Sequence, residues 1–158
     1  MAETKTNINF VQGSVFNTES YGLDAVIVFI PCGFTAIRID CIRFVKQFGE
    51  PLEQFREFFL YKNNSKEETG DNLRYILIDR NKENKIYSTR QISIIIDFAL
   101  NEMSKLGVKR IGMNGIRARS SFPEMDLYLE IKKWLVINKH DFHEIYLIDK
   151  RGGFNRIK

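Results

Sequence analysis

Apolar and polar residues alternate along the chain with two different periods. Five runs are rich in apolar and β-branched residues and predict strands, namely residues 8–16, 23–31, 73–79, 108–116 and 144–149. LDAVIVFIP, the second run, is almost continuously apolar, as in strands that are buried on both faces of a sheet. Gly13 interrupts the first run and predicts a kink or bulge there. The pattern therefore predicts a sheet with buried central strands.

Two segments carry apolar residues at helical spacing. In the segment after Ser88, apolar residues recur every three or four positions, and Gly107 follows where a helix commonly ends. A second helix is predicted over residues 122–138, with Ser121 and Glu124 forming an S-x-x-E capping box at its start. Its expected core contacts are Tyr128, Ile131, Trp134 and Leu135.

The order of these elements predicts the fold class. The second half alternates strand, helix, strand, helix and strand, which is typical of α/β proteins with parallel central strands. Residues 36–59 carry apolar residues at mixed spacing, and we expect one or two helices there, broken near Gly49-Glu50-Pro51. Residues 62–72, KNNSKEETGDN, predict a polar surface loop. With no repeat and no Pro/Ser-rich linker, residues 1–158 are predicted to form one domain.

The composition is that of a globular protein. Hydrophobic residues make up 44% of the 158 residues and charged residues 28%. No apolar run approaches the roughly 20 residues that cross a bilayer, so we expect no membrane partner. The first residues, MAETKTNINF, lack the apolar core of a secretory signal, and we expect a cytoplasmic location.

The excess positive charge lies in the last nine residues. The tail 150–158, KRGGFNRIK, contains four basic residues and no acid, and they account for the whole net charge of +4. The rest of the chain is electrically balanced, which argues against a broad surface for wrapping nucleic acid. Nucleic acid or an acidic protein could contact the tail, although short charged termini are usually solvated.

The thiols and imidazoles predict no metal site and no cofactor. Cys32 and Cys41 lack CxxC spacing and a neighbouring histidine, so reduced core thiols are the favoured interpretation. A Cys32 nucleophile served by His140 or His143 is the alternative, and no local signature supports it.

One loop predicts anion binding. The stretch RIGMNGIRARSSFPEMD, residues 110–126, places Arg117 and Arg119 between the end of a strand and the start of a helix. Anions commonly bind at that position in α/β proteins, and guanidinium groups match phosphate geometry. The alternative is a solvated loop, or ion pairs with Glu124 and Asp126 in the next turn.

Three stretches, in order, resemble a macro domain, the ADP-ribose-binding α/β/α module. VQGSV (residues 11–15) resembles the family segment V-x-G-D-I, and GLDAVIVFI is similar to V-D-A-I-V-N-A-A-N. RIGMNGIRARSSFPEMDLYLEIKKWL resembles the loop I-A-F-P-A-I-G-T-G-x-x-G-Y-P and its following helix. The resemblance implies a three-layer α/β/α fold with a mixed, largely parallel sheet. It also implies a ligand site formed by Ser14, Cys32, Gly33, Phe34, Asn114, Gly115, Arg117, Arg119, Ser120, Ser121 and Phe154.

The departures from the family pattern concern the residues that carry its chemistry. Ser14 stands where the family has the Asp that binds adenine, and FIPCGF has no counterpart of the Asn associated with hydrolysis. Arg117 and Arg119 stand at or near glycines whose backbone N–H groups approach the diphosphate. Phe154 is placed like the family's adenine-contacting aromatic, with core packing as the alternative. Asp24 matches a residue that is usually structural.

These departures predict a divergent macro-like module without a catalytic residue. The favoured function is weak or altered binding of a phosphate-containing nucleotide or an ADP-ribose-like ligand. One alternative is a protein- or nucleic-acid-interaction module that has kept the fold and lost the pocket. Another is a hydrolase of a nucleotide derivative with relocated catalytic residues, although the sequence shows no nucleophile–base pair.

Overall fold

The computed structural model describes residues 6–30, 53–55, 60–63, 74–79, 89–114, 123–150, 152, 154 and 157. Within these ranges the chain forms strands and helices in an order that begins and ends with a strand. They are β1 (Asn7–Gln12), α1 (Thr18–Tyr21), β2 (Ala25–Ile30), β3 (Glu53–Phe55), β4 (Leu60–Asn63), β5 (Arg74–Asp79), α2 (Thr89–Lys105), β6 (Arg110–Asn114), α3 (Pro123–Ile137) and β7 (Glu144–Asp149).

All the described strands belong to one mixed sheet in the order β1-β7-β6-β2-β5-β4-β3. The neighbouring pairs β1 and β7, β7 and β6, β6 and β2, and β2 and β5 are parallel. Strand β4 pairs antiparallel with both β5 and β3. This is the mixed, largely parallel sheet of an α/β fold, as the sequence predicts.

The sheet separates two apolar clusters because successive strand side chains point to opposite faces. On one face, Ile27, Met113 and Leu147 pack with α2 and α3 in a cluster that we call the helix-side cluster. On the other, Val26 and Ile148 pack beneath α1 in the smaller α1-side cluster. The described elements are thus layered as helices, sheet and α1.

The strongest sequence patterns predict their elements to within two residues. The 144–149 strand is confirmed, and the two long helices begin and end within a residue or two of their predicted bounds. Gly107 has φ +74 and donates its N–H to the Ser104 carbonyl at 3.1 Å, as expected of a glycine that ends a helix. Trp134 and Ile131 are buried in the helix-side cluster, and Tyr128 and Leu135 pack against it.

Three sequence predictions are wrong in detail. The first strand ends at Gln12 rather than residue 16, because the chain turns at Gly13 and then forms α1. Residues 53–55 form β3, although the mixed apolar spacing predicts helix there; cross-strand pairing with β4 outweighs a weak local preference. The polar loop predicted from residue 62 starts inside β4, which extends to Asn63.

No helix in the described ranges is long and apolar enough to cross a membrane.

Candidate functional site

The carboxyl ends of the parallel strands meet at one edge of the sheet. The strand order reverses between β2 and β6: after β2 the chain continues toward β5, and after β6 it continues toward β7, on the opposite side. In open α/β sheets, ligands bind outside the carboxyl ends of the strands at such a reversal. The sheet edge at the carboxyl ends of β2 and β6 is therefore the candidate site.

Asn114, the last residue of β6, uses its carboxamide to bind the end of β2. Its Oδ1 accepts a hydrogen bond from the Phe29 N–H at 2.7 Å, and its Nδ2 donates to the Phe29 carbonyl at 3.0 Å. The backbone register between the two strands ends one residue earlier, at Ile27 and Met113. Asn114 thus joins the carboxyl ends of β2 and β6 beyond the last pair of the backbone register.

Ser14 lies at the same edge, just beyond the end of β1. Its hydroxyl accepts a hydrogen bond from the Phe16 N–H at 3.2 Å, and its carbonyl accepts one from the Asn17 N–H at 3.1 Å. Both contacts hold the turn that precedes α1. Since β1 and β6 are separated by β7, Ser14 is about 10 Å from the end of β6 in the direction across the strands.

The segment after β6 that carries Arg117 and Arg119, residues 115–122, which we call the arginine loop, and the segment after β2 lie outside the described residues. Their starting points are fixed, since β2 ends at Ile30 and β6 ends at Asn114 on neighbouring strands. The predicted ligand-binding residues on these two segments are Cys32, Gly33, Phe34, Gly115, Arg117, Arg119, Ser120 and Ser121.

The amino terminus of α3 follows the arginine loop and carries two acids, Glu124 and Asp126, in its first turn. The Oε2 atom of Glu124 is buried, and it accepts no hydrogen bond from the described part of the chain. A helix amino terminus attracts anions, and a carboxylate in its first turn opposes that attraction for a second anion. The sequence predicts Glu124 as part of a helix cap or as a counter-ion, and it contains no signal for the burial of one of its oxygens.

Phe154 lies in the core. It is 1% exposed and belongs to the helix-side cluster, against which Ile157 also packs. The basic tail is therefore attached to the body of the domain at these two residues. Ligand contact by Phe154 stays a prediction.

The remaining candidate groups lie at the other edge of the sheet or near it. Asp24 accepts backbone N–H groups from Lys109 and Arg110, at the amino end of β6, which is a structural role. His140 stacks on Phe142 with ring centroids 5.4 Å apart. Across the described ranges, no three His, Cys, Asp or Glu residues cluster as metal ligands would.

Asp141, at this other edge, carries a shifted ionisation. The Lys109 ammonium donates a 2.7 Å hydrogen bond to its carboxylate and adds a favourable charge interaction, and together these lower the pKa of Asp141. The pair is exposed and far from the candidate site in the sheet, so it affects stability rather than ligand chemistry.

Comparison with known proteins gives a match in structure. No protein-family model and no curated protein matches the chain. The structure is similar to the macrodomain of Thermus aquaticus DarG, with a TM-score of 0.61 and 10% sequence identity over 91% of this chain and 99% of that one. At that identity the likeness concerns the fold, and it agrees with the layers and the mixed sheet described above. This chain has a macrodomain-like fold.

Proposed function

We propose that the chain binds a phosphate-containing nucleotide or an ADP-ribose-like ligand at the sheet edge outside β2 and β6, weakly or in an altered manner, without catalysing its breakdown. The observation that carries the proposal is the reversal of strand order between β2 and β6, where the Asn114 carboxamide holds the two strand ends together. The location of the reversal depends on the order of the strands and not on any sequence motif.

The chemistry of the surrounding segments supports an anionic ligand. The segment after β6 carries Arg117 and Arg119 and leads into α3, a helix of 15 residues. Guanidinium groups bind phosphate through paired charge-assisted hydrogen bonds, and a helix of this length presents free N–H groups at its start. Arg117 and Arg119 would bind phosphate through charged side chains, where a glycine-rich loop binds it through its backbone N–H groups.

Weak binding follows from the same segment. Glu124 and Asp126 place two negative charges in the first turn of α3, where they compete with a bound phosphate. Ser14 already accepts a hydrogen bond from the turn that follows it, and it is a shorter side chain than the aspartate at that place in the family. Both features lower the affinity expected of the site.

The proposal assigns no catalytic residue. Asp24, a carboxylate within a family-like motif, accepts backbone N–H groups at the opposite edge of the sheet. The carboxamide of Asn114 has both its oxygen and its nitrogen committed to Phe29. Neither group is free to activate water at the carboxyl edge.

Isothermal titration calorimetry with ADP-ribose, ADP, AMP and pyrophosphate tests the proposal. We expect a dissociation constant of about 10 μM to 1 mM for at least one of them, since about 1 mM still corresponds to roughly 4 kcal/mol of binding. Replacing both Arg117 and Arg119 with Ala should weaken binding about tenfold or more, through the loss of charge-assisted contacts. The matched control is Arg90→Ala, on the exposed surface of α2.

Glu124→Gln should change the ligand affinity in the opposite direction. Removing its negative charge should strengthen binding of the same ligand a few-fold, because like charges about 4 Å apart in water repel by about 1 kcal/mol. Absence of heat for all four ligands, together with an unchanged melting temperature at millimolar ligand, would reject the proposal. Intact ADP-ribose after prolonged incubation with the protein is the result expected of a module that does not catalyse its breakdown.

A further inference from the structure

Helix α3 carries apolar residues on both of its faces. Leu127, Ile131 and Trp134 are buried against the sheet. On the solvent side, Leu129, Val136 and Ile137 are exposed, with Val136 85% and Ile137 68% accessible. A surface helix normally presents polar residues outward, whereas the outward side of α3 mixes these apolar residues with the exposed Lys132 and Lys133. The outer face of α3 is therefore a candidate contact surface.

A groove between α2 and α3 continues this exposed surface. It encloses a volume of about 320 Å³ and is lined by Ile94, Asp97, Glu130, Lys133, Trp134 and Ile137, together with polar and apolar neighbours. Ile94 of α2 is itself 41% exposed, so the apolar surface extends across both helices. We call the groove with Leu129 and Val136 the α2/α3 patch. Contiguous apolar surface of this kind marks an interaction site more often than isolated exposed residues do.

The charges of the patch are of both signs and unpaired. Asp97, Glu130 and Lys133 form no salt bridge within the described part of the chain, even though Glu130 and Lys133 are three residues apart on one helix. Two carboxylates would repel a polyanion such as nucleic acid, and the ammonium would repel a polycation. A partner surface that complements the patch must therefore carry both positive and negative charges.

Trp134, which lines the groove with part of its ring, has a polar atom that is withdrawn from solvent. Trp134 is 5% exposed, and its indole Nε1 is buried with no hydrogen-bond acceptor among the described residues. A buried donor without an acceptor costs about 1–3 kcal/mol. This atom lies beneath the groove rather than on its surface, so the exposed apolar and charged side chains are what indicate a partner.

We propose that the α2/α3 patch binds a second copy of this chain around a twofold axis. In a twofold interface the same surface faces itself, so Lys133 of each copy lies beside Glu130 of the other. The patch supplies both signs of charge to itself, while Ile137 and Val136 are covered by the same apolar residues of the second copy. The proposed ligand site at the carboxyl edge of the sheet is a separate surface and does not enter this contact.

Sedimentation velocity over a range of about 1–100 μM protein tests the proposal, because interfaces of modest size commonly dissociate in or below that range. The native chain is expected to sediment as a concentration-dependent dimer. Lys133→Glu alone and Glu130→Lys alone should each weaken self-association about tenfold or more, since each places like charges opposite one another. Val136→Glu should do so as well by burying a charge. Glu19→Lys, an equally exposed change on α1 at the other face, is the control and should leave the dimer intact.

Mixing the two charge variants is the decisive experiment. In a mixed pair, the new glutamate at 133 meets the new lysine at 130, and the unchanged Glu130 meets the unchanged Lys133, so a heterodimer should form where neither variant self-associates. A native chain that remains monomeric across the whole range overturns the proposal. So do a native dimer that both single variants leave unchanged, and a mixture of variants that fails to associate.

Discussion

Asp24 and Arg110 are joined in both directions: the Asp24 N–H donates to the Arg110 carbonyl at 2.9 Å, and the Arg110 N–H donates to Asp24 Oδ2 at 3.0 Å. The same carboxylate oxygen accepts the Lys109 N–H at 2.9 Å. At the opposite end of the same strand pair, Asn114 binds both backbone groups of Phe29. The register of β2 and β6 covers only three residue pairs, so side chains close it at each end.

Asn114→Ala should destabilise the protein by about 1–3 kcal/mol, because it removes the two part-buried hydrogen bonds that the carboxamide makes to the Phe29 N–H and carbonyl. Urea unfolding monitored by circular dichroism measures the change. Asn7→Ala, an exposed change on edge strand β1, is the control. If ligand binding is found, Asn114→Ala should weaken it too, because the ends of β2 and β6 would separate. A variant as stable as the native chain would show that Phe29 finds other partners.

Asp24 gives a graded prediction at the amino end of the pair. Asp24→Ala should cost about 1.5–3 kcal/mol, since two N–H groups lose an ionised acceptor, whereas Asp24→Asn should cost less because its amide oxygen can still accept. Comparing the two unfolding midpoints checks this order. Equal loss in both variants would mean that the charge, rather than the acceptor, matters. Neither variant should alter the affinity of a ligand bound at the carboxyl edge.

The sequence predicts these strands and not the contacts that join them. The apolar runs and the helical spacing predict every long element, because burial of a sheet face or a helix stripe imposes a period on the chain. The partners of Asp24 and Asn114 lie about 85 positions away, and no local pattern encodes which backbone a side chain will meet. For the same reason β3 is missed: its pairing with β4 is tertiary, and its local composition is not that of a strand.

The sequence likewise predicts some features of the candidate site and not others. Its location follows from strand order, which the alternation of elements and the family resemblance make predictable. The burial of Glu124 Oε2 and of Trp134 Nε1 depends on the packing around α3, which periodicity alone does not specify. Phe154 illustrates the limit, since an aromatic near a carboxyl end fits a ligand contact and a core position equally well in sequence.

Gly112 is required by the close packing of the α1-side face. A Cβ at this position would approach Leu23 Cδ1 to 2.6 Å, with Ile148 and Val15 side chains within 3.6 Å. Gly112→Val should therefore destabilise the fold by about 1–3 kcal/mol through overpacking, and Gly112→Ala by less, since the tip of Leu23 can move. Thermal unfolding of both variants provides the measurement.

A double-mutant cycle identifies the cause of that loss. Gly112→Val combined with Leu23→Ala should cost less than the sum of the two single changes by about 0.5 kcal/mol or more, because the smaller side chain removes the clash. Ile145→Val, on the opposite face of the sheet, should be additive with Gly112→Val. Additivity at Leu23 as well would assign the loss to the backbone rather than to packing.

Asp141 and Lys109 give a prediction with a defined pH dependence. The Lys109 hydrogen bond and charge lower the pKa of Asp141 from its ordinary value of 3.8, so the folded state holds the carboxylate ionised at a pH where the unfolded chain protonates it. The contribution to stability is therefore fully present above the ordinary value and is lost as the pH falls through the lowered one. Asp141→Asn should reduce the melting temperature slightly at pH 7, and the difference from the native chain should vanish at a pH below the lowered pKa.

Measurements at different salt concentrations distinguish the Asp141–Lys109 ion pair from a general effect of net charge. Both side chains are substantially exposed, so the difference between the native chain and Asp141→Asn should shrink at about 1 M salt, where charges are screened within about 3 Å. Glu19→Gln, which removes an exposed carboxylate on α1, is the matched control for the change in net charge. A melting difference that persists in strong acid would contradict the assignment to the ionised carboxylate, because the protonated Asp141 side chain has lost the charge that attracts Lys109.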